Sequence, residues 1–497
     1  MKSFNGFNDF NGFNDFNDLN GFNDLNESQS IPLCVDLDGT LVKLDTLHQA
    51  LFLLLRRDPA CILRIPGWLA KGKAHLKDQV MQRVALAADA LPYNRPFLDW
   101  LRKEREGGRR LVLATASNYR TADAVSEHLG IFDETLSSSP DTNLRHERKL
   151  AAIQKRFPTF GYAGNDVADF PIWDSAAEVV LVNPTRAAHA KYAAGAAHVF
   201  IDRRPLAPML VKAMRCQQWL KNLLIFAPMV LAHHFTDLGV LAKTVTAFFS
   251  FSFAASSIYV LNDLFDLSAD QHHPRKRKRP FAAGDLPIAA GSLLIPLLVI
   301  LSLVPCLFLP LPFFTALLSY YAITTLYSWR LKQVAIADVL TLAILYTMRI
   351  VAGSAATATT ASGWFIGFSA FLFLSLALVK RVSELREMED NAGIDHSQRE
   401  RGYRPGDLRR LLVSGLASGT IAVLVFAFYL GSEKVMRLYS RPALLWAFCP
   451  VLLYWIARIW HLAWRNRIHD DPLAFATRDP QTYLLGALGL AVLLYAI

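Results

Sequence analysis

The sequence predicts two domains of different fold class: an α/β domain over residues 31–205 and an all-α, multi-span membrane domain over residues 206–497. Up to about Arg204, charged and apolar residues interleave as they do in a soluble domain. Beyond Trp219, long apolar runs dominate, and the whole chain is 53% apolar and only 19% charged. Short apolar segments alternate with helical patterns in the first region, which is typical of a parallel sheet with crossover helices.

The predicted α/β domain has four strands and a helical cap. The stretch from Leu41 to about Arg110 is helix-like and too long for a simple crossover, so we interpret it as the cap. Residues 1–30 contain a repeat of Phe-Asn-Gly-Phe-Asn-Asp without helical periodicity, and we expect a disordered, low-complexity tail there. The four strands are predicted at residues 31–35, 111–114, 161–163 and 179–182.

The second domain contains nine apolar stretches, most of them long enough to span a bilayer. They lie at about 219–236, 242–262, 288–307, 310–328, 336–357, 363–379, 411–431, 443–463 and 482–497. With the α/β domain in the cytoplasm, nine crossings place the polar loops 263–287, 380–410 and 464–481 on the cytoplasmic side, in agreement with the positive-inside rule. The basic loop 432–442 is an exception and faces outward. We therefore expect a multi-pass protein of the inner (cytoplasmic) membrane.

The net charge of +10 indicates which class of partner the chain binds. In a membrane protein, a basic balance reflects cytoplasmic loops and contacts with lipid headgroups. We therefore expect membrane lipids, and no nucleic acid, as partners. The five cysteines are scattered and show no CxxC spacing, which argues against both a disulfide framework and a zinc site.

The first acidic motif, Asp36-Leu-Asp38-Gly39-Thr40, follows an apolar strand. Both carboxylates are therefore predicted at the carboxyl end of the sheet, where α/β folds bind their ligands. Asp36 can attack phosphorus and form an aspartyl-phosphate. Asp38 points the same way and can protonate the leaving alcohol. The motif predicts an Mg²⁺-dependent phosphate site.

The strand-end motifs of residues 31–185 resemble those of the haloacid dehalogenase (HAD) phosphatase superfamily. The resemblance implies that Asp36 and Asp38 are catalytic and also bind the metal. It further implies that Thr115 hydrogen-bonds the phosphoryl oxygens and that Lys149 neutralises the phosphate.

The fourth motif of this superfamily normally reads GDxxxD, whereas this chain has Gly164-Asn165-Asp166-Val-Ala-Asp169. Asparagine is a poorer Mg²⁺ ligand than aspartate, so we expect Asp166 or Asp169 to take over as the ligand. The departure leaves two alternatives, an active phosphatase or a degenerate regulatory domain.

The second acidic motif ends an apolar helix and comprises Asn262, Asp263, Asp266 and Asp270. At spacings of three and four, the three aspartates share one helix face. Three like charges on one face are costly unless cations neutralise them, and Mg²⁺ suits oxygen ligands and bridges to phosphates. The basic block 275–279 is expected to hold substrate phosphate from the other side.

This motif, together with the apolar spans, resembles the UbiA family of intramembrane prenyltransferases over residues 206–497. Several stretches are similar to the decaprenyl-phosphate phosphoribosyltransferase branch, including Gln218-Trp-Leu-Lys221-Asn222, His273-Pro-Arg-Lys-Arg-Lys-Arg279-Pro and Lys380-Arg-Val-Ser-Glu384. The loop after the sixth span is basic and lacks a second DxxxD motif, which suits a phosphorylated sugar better than a quinone precursor. By this resemblance, the predicted substrate-binding residues are Lys221, Asn222, Arg279, Tyr327, Lys332, Arg349, Lys380, Glu384 and Arg401.

The two resemblances together imply a bifunctional enzyme. The membrane domain would transfer 5-phosphoribose from phosphoribosyl diphosphate to a polyprenyl phosphate, with Mg²⁺ as cofactor. The phosphatase domain would then remove the 5-phosphate to give polyprenyl-phosphoryl-ribose, a donor for cell-surface glycans. Two alternatives remain: a prenyltransferase acting on an aromatic acceptor with an accessory phosphatase, and a membrane-anchored phosphatase whose helices only bind lipid.

Overall fold

The computed structural model describes residues 31–390, 403, 405–468 and 471–497 of the chain. The predicted tail over residues 1–30 and the predicted substrate-binding residue Arg401 lie outside the described residues. The described chain divides into two compact units with a boundary between Arg203 and Arg204, and Leu51–Pro59 groups with the second unit.

The first unit is built on a six-stranded parallel sheet with the order β3-β2-β1-β4-β5-β6. The predicted parallel α/β architecture is thus confirmed. Its strands are β1 Leu33–Val35, β2 Leu111–Asn118, β3 Glu134–Ser138, β4 Gly161–Gly164, β5 Glu178–Val182 and β6 His198–Phe200. The sequence predicted the four central strands but missed β3 and β6. Both are edge strands, which are covered on one side only and so lack a continuous apolar run.

The helices of the first unit flank this sheet, and the stretch between β1 and β2 is helical as predicted. Single turns of 3₁₀ helix lie at Pro59–Leu63, Ala88–Ala90, Val167–Asp169 and Ala193–Gly195. The α-helices are α1 Thr46–Arg57, α2 Ile65–Ala70, α3 Lys73–Met81, α4 Arg95–Glu106, α5 Tyr119–Leu129, α6 Glu147–Arg156, α7 Phe170–Trp173 and α8 Arg186–Tyr192, and the part of α1 from Leu51 onward groups with the second unit.

The register of the sheet brings the predicted motifs to one edge. In β1, Leu33 pairs with Leu111 of β2 on one side and with Gly161 of β4 on the other. Because all strands are parallel, the residues that follow β1 and β4 and those at the end of β2 meet at the carboxyl edge.

The second unit is all-helical. Its α-helices are α9 Leu206–Met214, α10 Ala227–Leu231, α11 Leu238–Phe265, α12 Leu267–His272, α13 Ile288–Leu303, α14 Leu311–Trp329, α15 Ala335–Thr357, α16 Gly363–Asp390, α17 Leu408–Leu430, α18 Glu433–Leu438, α19 Phe448–Trp464, α20 Pro472–Ala476 and α21 Pro480–Ala496. Its 3₁₀ segments are Cys216–Phe226, Lys276–Lys278, Val304–Phe308, Leu331–Gln333, Pro405–Asp407 and Pro442–Ala447.

Among the described residues, six helices are long and apolar enough to cross a membrane by length and composition, against nine predicted stretches. The six are Leu238–Phe265, Ile288–Phe308, Ala335–Thr357, Gly363–Glu387, Leu408–Leu430 and Pro442–Trp464. The first predicted stretch is broken into a 3₁₀ segment and the five-residue α10, which has a proline in its first turn. Helix α14 is not among the six and is rich in Thr, Ser and Tyr, which lower its mean hydropathy. Helix α21, with 17 residues, is shorter than a typical span.

The polar connections of the helical unit nevertheless converge at one end. The Nζ atom of Lys332 lies 3.8 Å from Oδ2 of Asp266, so α13 and α14 together lead away from that end and back. Arg275 pairs with Glu387, which places the loops after α11 and near the end of α16 side by side. At the other end, the backbone nitrogen of Arg441 donates to the carbonyl of Ala496 at 3.0 Å.

A buried ion pair joins α15 and α16 at the polar end. The Arg381 guanidinium binds the Asp338 carboxylate through two nitrogens, and both side chains are almost completely buried. The hydroxyl of Tyr327 donates to Oδ1 of Asp338 at 2.8 Å, and Arg381 also pairs with Glu384. Since the carboxylate and the guanidinium are both paired, this cluster tolerates burial.

We expect Arg381→Leu to lower the free energy of unfolding of the helical unit by about 3–5 kcal/mol, because it leaves the Asp338 carboxylate buried without its cation. Thermal unfolding in detergent measures the effect. The matched control is Arg410→Leu, because the Arg410 side chain is 86% exposed in its ion pair with Asp407, and such pairs contribute about 0–1 kcal/mol. Equal midpoints for the two variants would contradict a structural role for the buried pair.

Candidate active sites

The first candidate site lies at the carboxyl edge of the sheet, around Asp36. Lys149, from α6, donates from Nζ to Oδ1 of Asp36 at 2.8 Å. Burial raises the pKa of Asp36 to about 7, although the Lys149 ammonium acts in the opposite direction. Burial also lowers the pKa of Lys149, but attraction to Asp36 and Asp169 outweighs it and raises that pKa overall. The structure therefore brings together the predicted nucleophile and the predicted cation.

Asp38 is held from two sides. Its Oδ1 accepts the backbone N–H of Thr46 at 2.9 Å, and its Oδ2 accepts the hydroxyl of Ser117. Thr115 is fully buried, and its Oγ1 accepts the N–H of Ser117 at 3.0 Å. Burial raises the pKa of Asp38, which favours the protonated form that a general acid needs. Ser117 was not among the predicted site residues.

A buried hydrogen-bond chain links Lys149 to Asp169. The Nζ atom of Lys149 donates to the hydroxyl oxygen of Tyr162 at 2.7 Å, and that hydroxyl donates to Oδ1 of Asp169 at 2.8 Å. The other carboxylate oxygen of Asp169 accepts the N–H groups of Asn165 and Asp166 at 3.0 and 3.1 Å. Asp169 therefore fixes both the loop after β4 and the lysine.

Asp166 and Asp169, which were expected to replace Asn165 as a metal ligand, occupy different positions. Asp166 accepts the N–H of Val167 at 2.7 Å and caps the 3₁₀ turn that follows. The Asn165 side chain packs against Gly39, where a Cβ atom would lie only 2.3 Å from its Nδ2 atom. Asn165 thus adjoins the loop of Asp36 and Asp38. These two carboxylates and the Asn165 amide form an oxygen-donor set of the kind that suits Mg²⁺.

The cap contributes one cation that the sequence did not reveal. Lys77, on α3, donates from Nζ to the carbonyl oxygen of Ala116 at 2.5 Å and to Oδ1 of Asn143 at 3.1 Å. Burial lowers the pKa of Lys77, and attraction to Asp38 opposes that change. No motif marks Lys77, because its proximity to the site depends on the fold of the cap.

The second candidate site begins at the end of α11, where the predicted acidic motif crosses from one helix to the next. Helix α11 ends at Phe265 and α12 begins at Leu267, so Asp266 lies at a break in the helix. The side chains of Asp263 and Asp270 are buried, whereas Asp266 is partly exposed. The backbone N–H groups of Asp266 and Asp270 still donate to the carbonyl oxygens four residues earlier at 2.8 Å, so the helical rotation continues across the break. The described residues contain no group of three or more His, Cys, Asp or Glu side chains arranged to hold a metal.

Arginines bridge these aspartates. The Nη1 atom of Arg279 lies 3.2 Å from Oδ1 of Asp263 and 2.5 Å from Oδ2 of Asp270. Arg215, which the sequence analysis missed, also pairs with Asp263. Burial raises the pKa of Asp270 to about 6, although Arg279 acts in the opposite direction. In this arrangement Arg279 contacts the acidic motif directly, and its predicted phosphate contact would require it to exchange partners.

Asn262 and Lys332 complete this cluster. The Nδ2 atom of Asn262 donates to Oγ of Ser328 at 3.0 Å, which fixes the orientation of the amide. Asp266 pairs with Arg56 at 2.5 Å, and Nζ of Lys332 lies 3.8 Å from its other carboxylate oxygen. Carboxylate and amide oxygens are the hard donors that Mg²⁺ prefers, but in this structure the three carboxylates are paired with cations.

A second basic group at the same end forms around Asp471, which the sequence analysis did not single out. The Nζ atoms of Lys221 and Lys380 lie 2.8 and 3.9 Å from Oδ2 of Asp471, and the hydroxyl of Tyr346 donates to the same oxygen at 3.1 Å. Burial alone would raise the pKa of Asp471, but the two lysines outweigh it and hold that pKa well below its usual range. Lys221 and Lys380 are thus brought together, as a binding site for one anionic group requires.

The remaining predicted substrate-binding residues lie in the interior of the helical unit. Arg349 donates from Nε to Oδ1 of Asn222 at 2.8 Å, and Asn222 donates to Oγ of Ser252 at 2.9 Å. Tyr327 and Glu384 contact the buried pair of Arg381 and Asp338. In the described structure these four residues hold helices together.

An apolar cavity of about 720 Å³ opens beside Lys221. It extends from Leu473 to Tyr439, and its walls include Phe226, Phe368, Phe426 and Phe448. Tyr439 and the adjoining residue Arg441 lie towards the end of the unit opposite Asp471. The cavity is therefore a long apolar channel with a lysine near its polar end.

The chain is similar to several known proteins. The UbiA prenyltransferase family matches residues 223–478, more than half of the chain. Protein y4nM of Sinorhizobium fredii, itself uncharacterized, is 37% identical over 470 residues, which cover 93% of this chain and 90% of that protein. Because residues 206–497 make up less than two thirds of the chain, this similarity also includes most of the α/β unit.

A decaprenyl-phosphate phosphoribosyltransferase of Mycobacterium tuberculosis is 32% identical over 243 residues, covering 48% of this chain and 74% of that enzyme. The solved structure of a UbiA homologue from Archaeoglobus fulgidus, bound to GPP and Mg²⁺, is 20% identical with a TM-score of 0.43, and covers 57% of this chain and 99% of that chain. The predicted UbiA resemblance is confirmed: the chain is a multi-pass membrane protein that belongs to the UbiA prenyltransferase family.

Proposed function

We propose that the helical unit transfers 5-phosphoribose from phosphoribosyl diphosphate to the phosphate of a polyprenyl phosphate. The observation that carries this proposal is the meeting of three features at one end of the unit. These are the acidic motif around Asp263, the lysine pair at Asp471, and the apolar cavity that opens beside Lys221. The similarity to a decaprenyl-phosphate phosphoribosyltransferase supports the same substrates.

The acidic motif is the donor side of the proposed site. Asn262, Asp263, Asp266 and Asp270 would hold Mg²⁺, which when bound neutralises diphosphate and acts as a Lewis acid. Arg279 and Lys332 lie against these carboxylates and would contact the phosphates of the donor.

The lysine pair is the acceptor side. The polyprenyl chain would lie in the apolar cavity, whose walls remove it from water, with its phosphate at the Lys221 end. Lys221 and Lys380 would then exchange their carboxylate partner, Asp471, for the lipid phosphate. A phosphate oxygen of the lipid attacks C1 of the ribose, the C1–O bond to the diphosphate breaks, and the diphosphate leaves with the electron pair. The cations around the site stabilise the charge on the departing diphosphate.

We infer that the α/β unit is a HAD-type phosphatase that removes the 5-phosphate from the product. Asp36 would attack phosphorus, with Lys149 holding both the nucleophile and the phosphate, and Asp38 would give a proton to the leaving hydroxyl. Water then hydrolyses the aspartyl-phosphate. Similarity to y4nM across both units supports a reaction sequence that uses both of them. The final product would be polyprenyl-phosphoryl-ribose, a donor for cell-surface glycans.

Incubation of membranes with phosphoribosyl diphosphate labelled in the ribose tests this function. Label that moves into the lipid fraction and depends on added polyprenyl phosphate is the expected result. Label that stays in water, while labelled prenyl diphosphate instead yields a prenylated aromatic product, would favour the aromatic-acceptor alternative.

The same proposal makes a prediction for membrane topology. We expect cysteines introduced at Lys278 and Lys103 to be protected from a membrane-impermeant thiol reagent in intact cells. The reason is that the proposed donor, phosphoribosyl diphosphate, would reach the site from the cytoplasm. A cysteine at Arg437, whose side chain is 82% exposed, is expected to react from outside. Labelling of the Lys278→Cys protein in intact cells would reject this orientation.

A further inference from the structure

Helix α2, in the stretch between β1 and β2, has an unusual surface. Its sequence, Ile-Pro-Gly-Trp-Leu-Ala over Ile65–Ala70, contains no polar side chain, yet none of its residues is buried. Other helices of the α/β unit, such as α4 and α5, have a buried apolar face, which in α4 contains Phe97, Leu98 and Leu101. Helix α2 therefore presents apolar side chains to the surroundings of the protein.

The adjoining 3₁₀ turn extends this surface. Ile62, Leu63 and Leu69 are 58%, 82% and 48% exposed, and we name these three residues the apolar cap surface. They lie within eight residues of one another, whereas the other large exposed hydrophobic residues described in the α/β unit are scattered at Val167, Val199 and Ile201. Single exposed leucines are common in soluble proteins, but a cluster marks a binding surface.

Charge identifies what the apolar cap surface contacts. No acidic residue occurs between Asp58 and Asp78, whereas Arg64, Lys71 and Lys73 are all exposed. Apolar side chains flanked by lysine and arginine, with a tryptophan among them, are typical of segments that lie in the interface of an anionic bilayer. A second copy of this surface would bring like charges together, which disfavours self-association through it.

We propose that the apolar cap surface inserts into the interfacial layer of an anionic lipid bilayer. We expect the bilayer contact to assist the proposed phosphatase reaction. The contact itself does not depend on that reaction, but its role in catalysis does. Helix α3 begins at Lys73, directly after this surface, and carries Lys77, whose Nζ donates to the carbonyl oxygen of Ala116 at the end of β2. One short helix therefore connects the bilayer contact to the residues around Asp38, and a lipid-linked phosphomonoester need not leave the interface to reach Asp36.

The depth of the apolar cap surface tests the proposal directly. The full-length protein carries a nitroxide at Leu63→Cys or Leu69→Cys, after replacement of Cys216, Cys306 and Cys449; the remaining Cys34 and Cys61 are fully buried. The samples are nanodiscs with anionic or with zwitterionic lipid, and the control label is at the exposed Lys103→Cys on α4. We expect nitroxides at positions 63 and 69 to be more accessible to molecular oxygen, which partitions into lipid, than to a water-soluble nickel complex. The nitroxide at position 103 should not show this preference, and the difference should be largest with anionic lipid.

Two outcomes would overturn the bilayer contact. The first is nickel-complex accessibility at 63 and 69 as high as at 103. The second is dipolar broadening between labels on two molecules, which would identify a second copy of the chain as the occupant.

A kinetic measurement separates this contact from the phosphatase function. The double variant Leu63→Glu/Leu69→Glu is expected to hydrolyse a bilayer-embedded phosphomonoester about tenfold more slowly, while hydrolysis of p-nitrophenyl phosphate is unchanged. Val199→Glu, an exposed apolar position on β6, serves as the matched control and is expected to leave both rates unchanged. Equal rates for the double variant and the wild type on the embedded substrate would refute a role for the contact. If the wild type hydrolyses neither compound, the phosphatase proposal fails, and the nitroxide depths alone decide the bilayer contact.

Discussion

Asp263→Ala is expected to abolish transfer of phosphoribose to the lipid. Asp263 is buried and pairs with both Arg215 and Arg279, so its loss removes a proposed Mg²⁺ ligand and leaves two cations without their shared carboxylate. Loss of charge stabilisation at a departing diphosphate typically costs a factor of about 10²–10³ or more in rate. The measurement is the formation of labelled lipid by purified full-length protein.

Two further variants separate catalysis from folding. Asp237→Ala changes an aspartate at the opposite end of the same helix, where the carboxylate caps the N–H groups of Gly239 and Val240. It is expected to cost about 1 kcal/mol of stability but to keep transferase activity. Asp266→Ala, at the more exposed position, is expected to lose transfer without loss of thermal stability. Full transferase activity in purified Asp263→Ala or Asp266→Ala protein would refute the donor site.

Asp36→Asn is expected to make the full-length enzyme accumulate the 5-phosphorylated lipid in place of the dephosphorylated one. An amide oxygen is a poor nucleophile, so no aspartyl-phosphate forms. The transferase residues lie in the other unit and are unchanged, so the first reaction continues. Mass spectrometry of the lipid products after incubation with phosphoribosyl diphosphate measures the ratio of the two lipids.

The matched control is Asp141→Asn, an exposed aspartate of the same unit, which is expected to give the wild-type ratio. Identical ratios for the wild type and Asp36→Asn would show that the α/β unit does not process this lipid. That result would remove the coupled reaction and leave the transferase proposal standing.

The sequence predicted those parts of the fold that depend on local patterns. Strands β1, β2, β4 and β5 lie in the interior of a parallel sheet, so they are apolar on both faces and easily recognised. The position of Asp36 at the carboxyl edge also followed from its place after β1, whereas Lys149 reaches it from helix α6 and was expected only from the resemblance. Apolar composition alone does not fix a continuous helix, as the first predicted stretch shows at the proline that begins α10.

Contacts between distant residues could not be predicted. Asp471 lies 250 positions from Lys221 in sequence, and no local pattern connects the two residues. The break at Asp266 is equally invisible, since a spacing of three and four fits a continuous helix and a kinked one alike. Motif similarity marked Arg349 and Asn222 as substrate contacts, and their contact with each other in the described structure was equally invisible in the sequence.

The position of Asn165 has a consequence for the products that leave the enzyme. Its side chain is pressed against Gly39, and aspartate has the same shape as asparagine, so an Asn165→Asp replacement would change the charge of this site and not its volume. Under the proposed function, the Nδ2 atom of Asn165, where aspartate would have an oxygen, slows dephosphorylation. This single atom then sets how much lipid is released with its 5-phosphate still attached. Homologous chains could change the ratio of the two lipids by a single isosteric replacement, without repacking the loops around it.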